Sequence, residues 1–153
     1  ENASPVFVYA VETSIQMTLT ELNENLREIY LEAYTHQEAM DYIHEHTSEE
    51  LYHIFSPYLP GYTESDFYEL EIGTAGIMRG YMARKCDKYF TLEKKLSRFL
   101  AMTMSAFKVP EEEQEKIIGS ISGLDIRGIS EQVMRELFRA LAMQFEFSLN
   151  GLE

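Results

Sequence analysis

The stretch PVFVYAVETSIQMTLTELNENLREIYLEAY, residues 5–34, indicates the class of fold to which this chain belongs. Apolar side chains recur along it at spacings of three and four residues, which is the period of an amphipathic helix. They are Val8, Val11, Ile15, Leu19, Leu22, Leu26, Ile29 and Ala33. Pro5 suits the first turn of a helix, where a backbone N–H is not needed. The pattern therefore predicts one long helix from about Pro5 to Tyr34.

The helical period continues through the rest of the chain and is interrupted at cap and turn residues. Thr35, Ser48, Thr63 and Thr91 are placed as N-caps, and the segment 56–62, which contains two prolines and a glycine, is a breaker. Further helices are expected at about 36–46, 49–56, 64–86, 92–107, 110–118 and 125–149. No credible strand pattern occurs. The sequence thus predicts an all-α, multi-helix bundle of about six to seven helices, forming a single domain over residues 1–153.

Composition excludes several classes of protein. The 153 residues are 45% hydrophobic and 25% charged, as in an ordinary soluble domain. No apolar run approaches the length of a membrane span, so no membrane partner is expected. Cys86 is the single cysteine, which excludes an intramolecular disulfide and favours a reducing, cytoplasmic location. The chain begins at Glu1 without a methionine, and we therefore expect it to be part of a longer protein.

Acidic side chains dominate the chain, and they are unevenly distributed. The net charge is −13, and of the 13 basic residues only Arg27 precedes residue 79. A chain this acidic repels nucleic-acid phosphates. The segment 128–137 imitates the turn and recognition helix of a helix-turn-helix, but it would present Glu131 and Glu136 to an anionic groove. The acidic first half is either a solvated face or a field that attracts a cation.

All four histidines lie in one short part of the sequence, as His36, His44, His46 and His53. Glu50 and His53 have the Glu-x-x-His spacing of di-iron bundles, but no histidine remains for a second such pair. Surface or capping histidines are favoured, and neither a metal nor another cofactor is expected. No organised nucleophile is evident, so an enzyme is not predicted. A helical-bundle metal-binding protein or enzyme that uses these histidines and nearby carboxylates stays open as the alternative.

Glycines and aromatic residues in the middle of the chain predict a ligand cavity. Gly73, Gly76 and Gly80 fall on one stripe of a helix, where they permit either a close helix crossing or room for a ligand. Ten tyrosines and no tryptophan favour a lined cavity over a closed, tyrosine-rich core, because a buried hydroxyl needs a partner. The expected ligand is apolar or aromatic, and a cation is favoured over an anion; a carboxylate that pairs with Arg79, beside the glycines, stays open as the alternative. The residues expected to bind it are Tyr30, Tyr34, Tyr42, Phe55, Tyr68, Gly76, Met78, Arg79 and Met82.

The last helix carries apolar residues around most of its circumference, so it must bury two faces. One face packs on its own domain, and the other is expected to meet the same helix of a second subunit. With the helix near residues 92–107, it predicts a four-helix interface in a homodimer. The residues expected at this interface are Leu96, Phe99, Leu100, Thr103, Leu137, Phe138, Leu141 and Phe145.

Three segments carry a likeness to a known family: LREIYLEAYTH (26–36), EIGTAGIMRGY (71–81) and FRALAMQFEF (138–147). In their order and helical texture they resemble the C-terminal regulatory domain of the TetR family of bacterial transcriptional regulators. The resemblance spans essentially the whole chain. It implies a domain that takes up a small-molecule effector and pairs two subunits through its last two long helices. It also implies a repressor that contacts DNA only through an N-terminal helix-turn-helix domain, which is not part of this chain.

Overall fold

Seven α-helices and one short 3₁₀-helix make up most of the chain in the computed structural model, which describes residues 3–150 and the side chains of residues 3–143. The elements are α1 (Pro5–Leu22), α2 (Glu24–Ala33), α3 (Gln37–Phe55), the 3₁₀-helix Ser56–Tyr58, α4 (Glu64–Ala83), α5 (Leu92–Ala106), α6 (Glu111–Ser122) and α7 (Ile126–Asn150). The described part contains no strand. The predicted all-α, multi-helix architecture is therefore confirmed.

The single long helix expected from Pro5 to Tyr34 is wrong, because the chain breaks at Asn23. This residue is extended, with φ −144° and ψ 116°, and its side chain accepts a hydrogen bond from the N–H of Leu26 at 3.1 Å. The N–H of Asn23 donates to the carbonyl of Leu19 at 3.1 Å. Asn23 therefore ends α1 and caps α2, which is the role that a short polar side chain serves best. The apolar stripe continues across the break and so conceals it.

The two helices expected between Thr35 and Pro57 form one continuous helix, α3. Ser48 is buried within it and donates its hydroxyl hydrogen bond to the carbonyl of Glu45 at 2.9 Å, instead of capping a new helix. The N-cap position belongs to His36, since the Thr35 hydroxyl turns back to the carbonyl of Glu32 at 2.7 Å. A serine inside a helical period thus resembled a helix start without being one.

Three other helix starts are confirmed as N-caps. Thr63 and Asp66 form a complete capping box, and the Thr91 hydroxyl accepts from the N–H of Lys94 at 3.3 Å. Asp125 accepts from the N–H of Gly128 at 3.0 Å, and a Cβ atom at position 128 would collide with the Asp125 carboxylate. Glycine 128 therefore makes room for this cap rather than forming a helix-turn-helix turn.

Helix α1 lies at the centre of the bundle and contacts each of the other six α-helices. Three of its threonine hydroxyls suit this central position because they donate to carbonyls of their own helix, whereas the buried Ser14 hydroxyl has no hydrogen-bond partner among the described residues. Thr13, Thr18 and Thr20 donate to the carbonyls of Tyr9, Ser14 and Met17 at 2.8, 2.7 and 2.6 Å. Polar groups that are satisfied locally pack in a core at little cost.

The predicted dimer residues divide into two groups. Leu96, Phe99, Leu100 and Thr103 on α5 are buried in the chain's own core, so their assignment to an interface is wrong. The predicted stripe of α5 instead faces the other helices of the same chain. On α7, Leu137, Phe138 and Leu141 are 40%, 44% and 51% exposed, and Phe145 lies outside the described side chains.

Candidate ligand-binding site

A cavity of about 280 Å³ lies between the first four helices. Its walls include Tyr9 and Thr13 from α1, Tyr30 and Tyr34 from α2, Ile43 and Leu51 from α3, and Glu71 and Met78 from α4. Phe99 of α5 contributes a further aromatic wall. Concave, mostly apolar spaces with a few polar groups are the usual form of small-molecule sites. This cavity has that form, and its size suits a small ligand.

The structure brings together three of the nine predicted ligand residues, Tyr30, Tyr34 and Met78, as lining of the cavity. The other six lie elsewhere. Phe55 and Met82 are packed in the hydrophobic core, whereas Tyr42, Gly76 and Arg79 are exposed. The Tyr68 ring lies edge-on to the His44 ring, with 6.0 Å between the ring centroids. None of these six lines the cavity.

The glycines of α4 do not create the cavity. Gly73, Gly76 and Gly80 are exposed, and a Cβ atom built on any of them meets nothing within 4 Å. They therefore do not mark a close helix crossing, and they do not line this cavity; Gly76 and Gly80 border a separate hollow on the surface of α4, together with Tyr81 and Met102. Helical phase gives the reason: a different face of α4, with spacings of three and four residues, points inward. That face carries Glu71, Thr74, Ala75 and Met78.

Glu71 is the principal residue that sequence reasoning missed. Its side chain is 2% exposed and forms a short hydrogen bond to Nδ1 of His44, which joins α4 to α3. Burial raises the pKa of the Glu71 carboxyl above its ordinary value, and the contact with His44 opposes that rise. The available signal was its spacing from Met78, since residues seven apart share one helix face.

Three tyrosines keep their phenol hydroxyls neutral at the cavity wall. Burial, with a smaller contribution from Glu71, raises the pKa of Tyr34 to about 12. Burial also raises the pKa of Tyr9 to about 12, against the opposing hydrogen bond with Thr103, and raises that of Tyr30. A neutral phenol both donates and accepts hydrogen bonds, so these side chains can orient a polar group of a ligand.

The histidines do not gather into one site. His36 and His46 lie on the surface beside Glu32 and Glu50 at 3.6 and 3.5 Å, while His44 contacts Glu71. Within the described residues, no group of three or more histidine, cysteine or acidic side chains is arranged to hold a metal ion. The side chains of residues 3–143 therefore provide no geometric support for the alternative of a metal site.

A second charged cluster, formed by Glu21, Arg27 and Lys95, has a structural role. Arg27 contacts Glu21 at 3.3 Å and donates to the carbonyl of Met82 at 2.6 Å, and fully buried Lys95 contacts both Glu21 and the carbonyl of Arg84. Although burial acts to raise it, the hydrogen bonds from Lys95 and from the Cys86 N–H hold the pKa of Glu21 below its ordinary value. These charges are paired to one another, as buried charges must be.

Among the described helices, none has both the length and the apolar character that crossing a bilayer requires. Searches of protein-family models, of curated proteins and of solved structures find no match to this chain.

Proposed function

We propose that this chain is a small-molecule-binding domain whose ligand occupies the cavity between α1, α2, α3 and α4. The observation that supports this proposal is the cavity itself, about 280 Å³ within walls that carry both aromatic rings and hydrogen-bonding groups. A dry structural void is apolar, whereas this space is bordered by a buried carboxylate and three tyrosines. The ligand is a small molecule with an apolar or aromatic body.

The role we propose for that binding is effector sensing in a TetR-like transcriptional repressor that acts in the cytoplasm. Support comes from the resemblance of residues 26–36, 71–81 and 138–147 to that family and from the strong negative charge, which suits a domain that leaves DNA contact to another part of the protein. An effector switches a protein only if it binds one conformation better than another. A cavity bordered by five separate helices offers such a difference, because a shift of one helix changes its shape.

We further propose that the domain forms a homodimer through α7 alone. This helix packs against α1, and beyond residue 134 each described side chain is exposed. Leu137, Phe138 and Leu141 are exposed and share one face of the helix. An apolar stripe of that kind is buried most simply by the same helix of a second subunit around a two-fold axis.

The proposed binding site is tested by filling the cavity. Ala33 lines it from the end of α2, so Ala33→Phe places a ring in the ligand space. Ala83, at the exposed end of α4, supplies the matched control Ala83→Phe. A fragment panel of small aromatic and aliphatic compounds is screened by NMR on ¹³C-methyl methionine.

Binding in the cavity shifts the methyl signal of Met78, which lines it, and not that of the exposed Met102. We expect such shifts in the wild-type chain and in Ala83→Phe, and their loss in Ala33→Phe. Fragments that bind Ala33→Phe as well as wild type would place the site elsewhere. A panel without any shift at Met78 would refute the proposal.

A further inference from the structure

We infer that the ligand of this cavity is an organic cation, a protonated amine on an aromatic or aliphatic body, and that the Glu71 carboxylate receives its charge. This inference rests on the proposed function, because it concerns the same cavity. It names the chemical class of ligand, which the shape of the space alone does not determine.

The charges on the cavity wall all have one sign. Glu12, Glu50 and Glu71 line it, and no lysine or arginine is among its lining residues. Arg27, the single basic residue of the first 78, is held in the separate cluster with Glu21 and Glu24. Low-dielectric walls that carry charges of one sign focus the field on the space between them. The cavity therefore attracts cations and repels carboxylate or phosphate ligands.

The Glu71 carboxylate has one oxygen that remains available to a ligand. His44 contacts the oxygen Oε2, and no hydrogen bond from the described residues reaches the other oxygen, Oε1, which is not among the fully enclosed atoms without a partner. His44 is not a lining residue, so it approaches Glu71 from outside the cavity. A buried charge is costly unless it is paired and hydrogen-bonded. An ammonium group beside Oε1 supplies both an opposite charge and hydrogen-bond donors.

The rest of the lining suits the body of such a ligand. Tyr9, Tyr30, Tyr34 and Phe99 provide aromatic surface, and aromatic rings attract cations through their quadrupole. The tyrosine hydroxyls are neutral and can accept a second ammonium hydrogen bond. Met78 adds a flexible apolar wall that adapts to the shape of the ligand. A carboxylate, aromatic faces and an apolar wall together form a receptor for an amine.

The test compares ligands of one shape that differ in charge. The probes are arylalkyl ammonium ions, from phenethylammonium to naphthylmethylammonium, together with their neutral alcohol and anionic carboxylate counterparts. Dissociation constants are measured by titration, with the Met78 methyl signal as the readout. The ammonium probes are expected to bind at least about tenfold more tightly than the alcohols, because a charged hydrogen bond contributes more than a neutral one.

Glu71→Gln is the decisive variant, since the amide keeps the shape of the side chain and removes its charge. It should reduce the preference for ammonium over alcohol to near unity, while Glu69→Gln, an exposed carboxylate of the same helix, should leave the preference unchanged. Alcohols that bind as tightly as ammonium ions would overturn the inference and leave the proposed function intact. An ammonium preference that persists in Glu71→Gln would have the same consequence. Failure of the whole panel to bind would overturn both.

Discussion

At Glu71 the carboxylate is enclosed by packed helices, and burial raises its pKa above the ordinary value of 4.5. The folded chain therefore holds this proton more tightly than the unfolded chain does. As the pH rises from 4.5 through the raised pKa, the free energy of unfolding decreases, and the full penalty is present above that range. A residue that lowers stability at neutral pH is typical of a site kept for binding rather than for folding.

We expect Glu71→Gln to increase the free energy of unfolding at neutral pH, without ligand, because no charge has to be desolvated. Below pH 4.5, where the wild-type carboxyl is protonated, the difference should vanish. Urea unfolding at neutral pH and below pH 4.5 measures this difference in the free energy of unfolding. The control Glu69→Gln should change that free energy little at either pH. A loss of stability at neutral pH would mean that Glu71 and His44 form a structural ion pair.

At the scale of the helices, boundaries marked by a cap were predictable and boundaries within a continuous apolar stripe were not. Thr63 and Thr91 start α4 and α5 as expected, because each follows a turn and precedes a helical period. The break at Asn23 was missed since a cap that connects two helices directly leaves the apolar spacing almost unchanged. Ser48 was wrongly predicted to start a helix, because its hydroxyl donates to a carbonyl within α3 instead of capping a new helix.

The same contrast applies to the ligand site. Tyr30, Tyr34 and Met78 were found because aromatic and methionine side chains stand out in a sequence. Glu71 was missed because it is one of 26 acidic residues, and only its position on the inner face of α4 sets it apart. The glycines misled because their spacing indicates a shared face but not whether that face is buried.

The role of Asn23 as a joint between α1 and α2 leads to a mutational prediction. Asn23→Ala should lower the free energy of unfolding by about 1 kcal/mol, since the first turn of α2 loses the acceptor for the Leu26 N–H. Asn25→Ala, two residues later on the exposed side of α2, is the matched control and should have little effect. Urea denaturation monitored by circular dichroism compares them. Equal effects of the two substitutions would contradict the assignment of Asn23 as the cap.

For the whole molecule, the exposed apolar end of α7 predicts self-association. Phe138→Glu should dissociate the proposed homodimer, because a charge would replace a ring that is 44% exposed in the single chain and buried between two. Sedimentation velocity at micromolar concentration measures the change in mass. Leu124→Glu, a similarly exposed apolar residue before α7, should leave the dimer intact. A monomeric wild-type chain would refute the dimer.

The central position of α1 also bears on how the protein is made. Among the described helices, α1 is synthesised first and each of the others packs against it, and α7 is synthesised last. The ion pair between Glu21 and Lys95 likewise forms only after Lys95, 74 residues later in the chain, has been synthesised. Synthesis therefore leaves an unfinished core exposed until nearly the whole domain has been translated. An incomplete core of this kind exposes apolar surface that favours aggregation until the last helix packs.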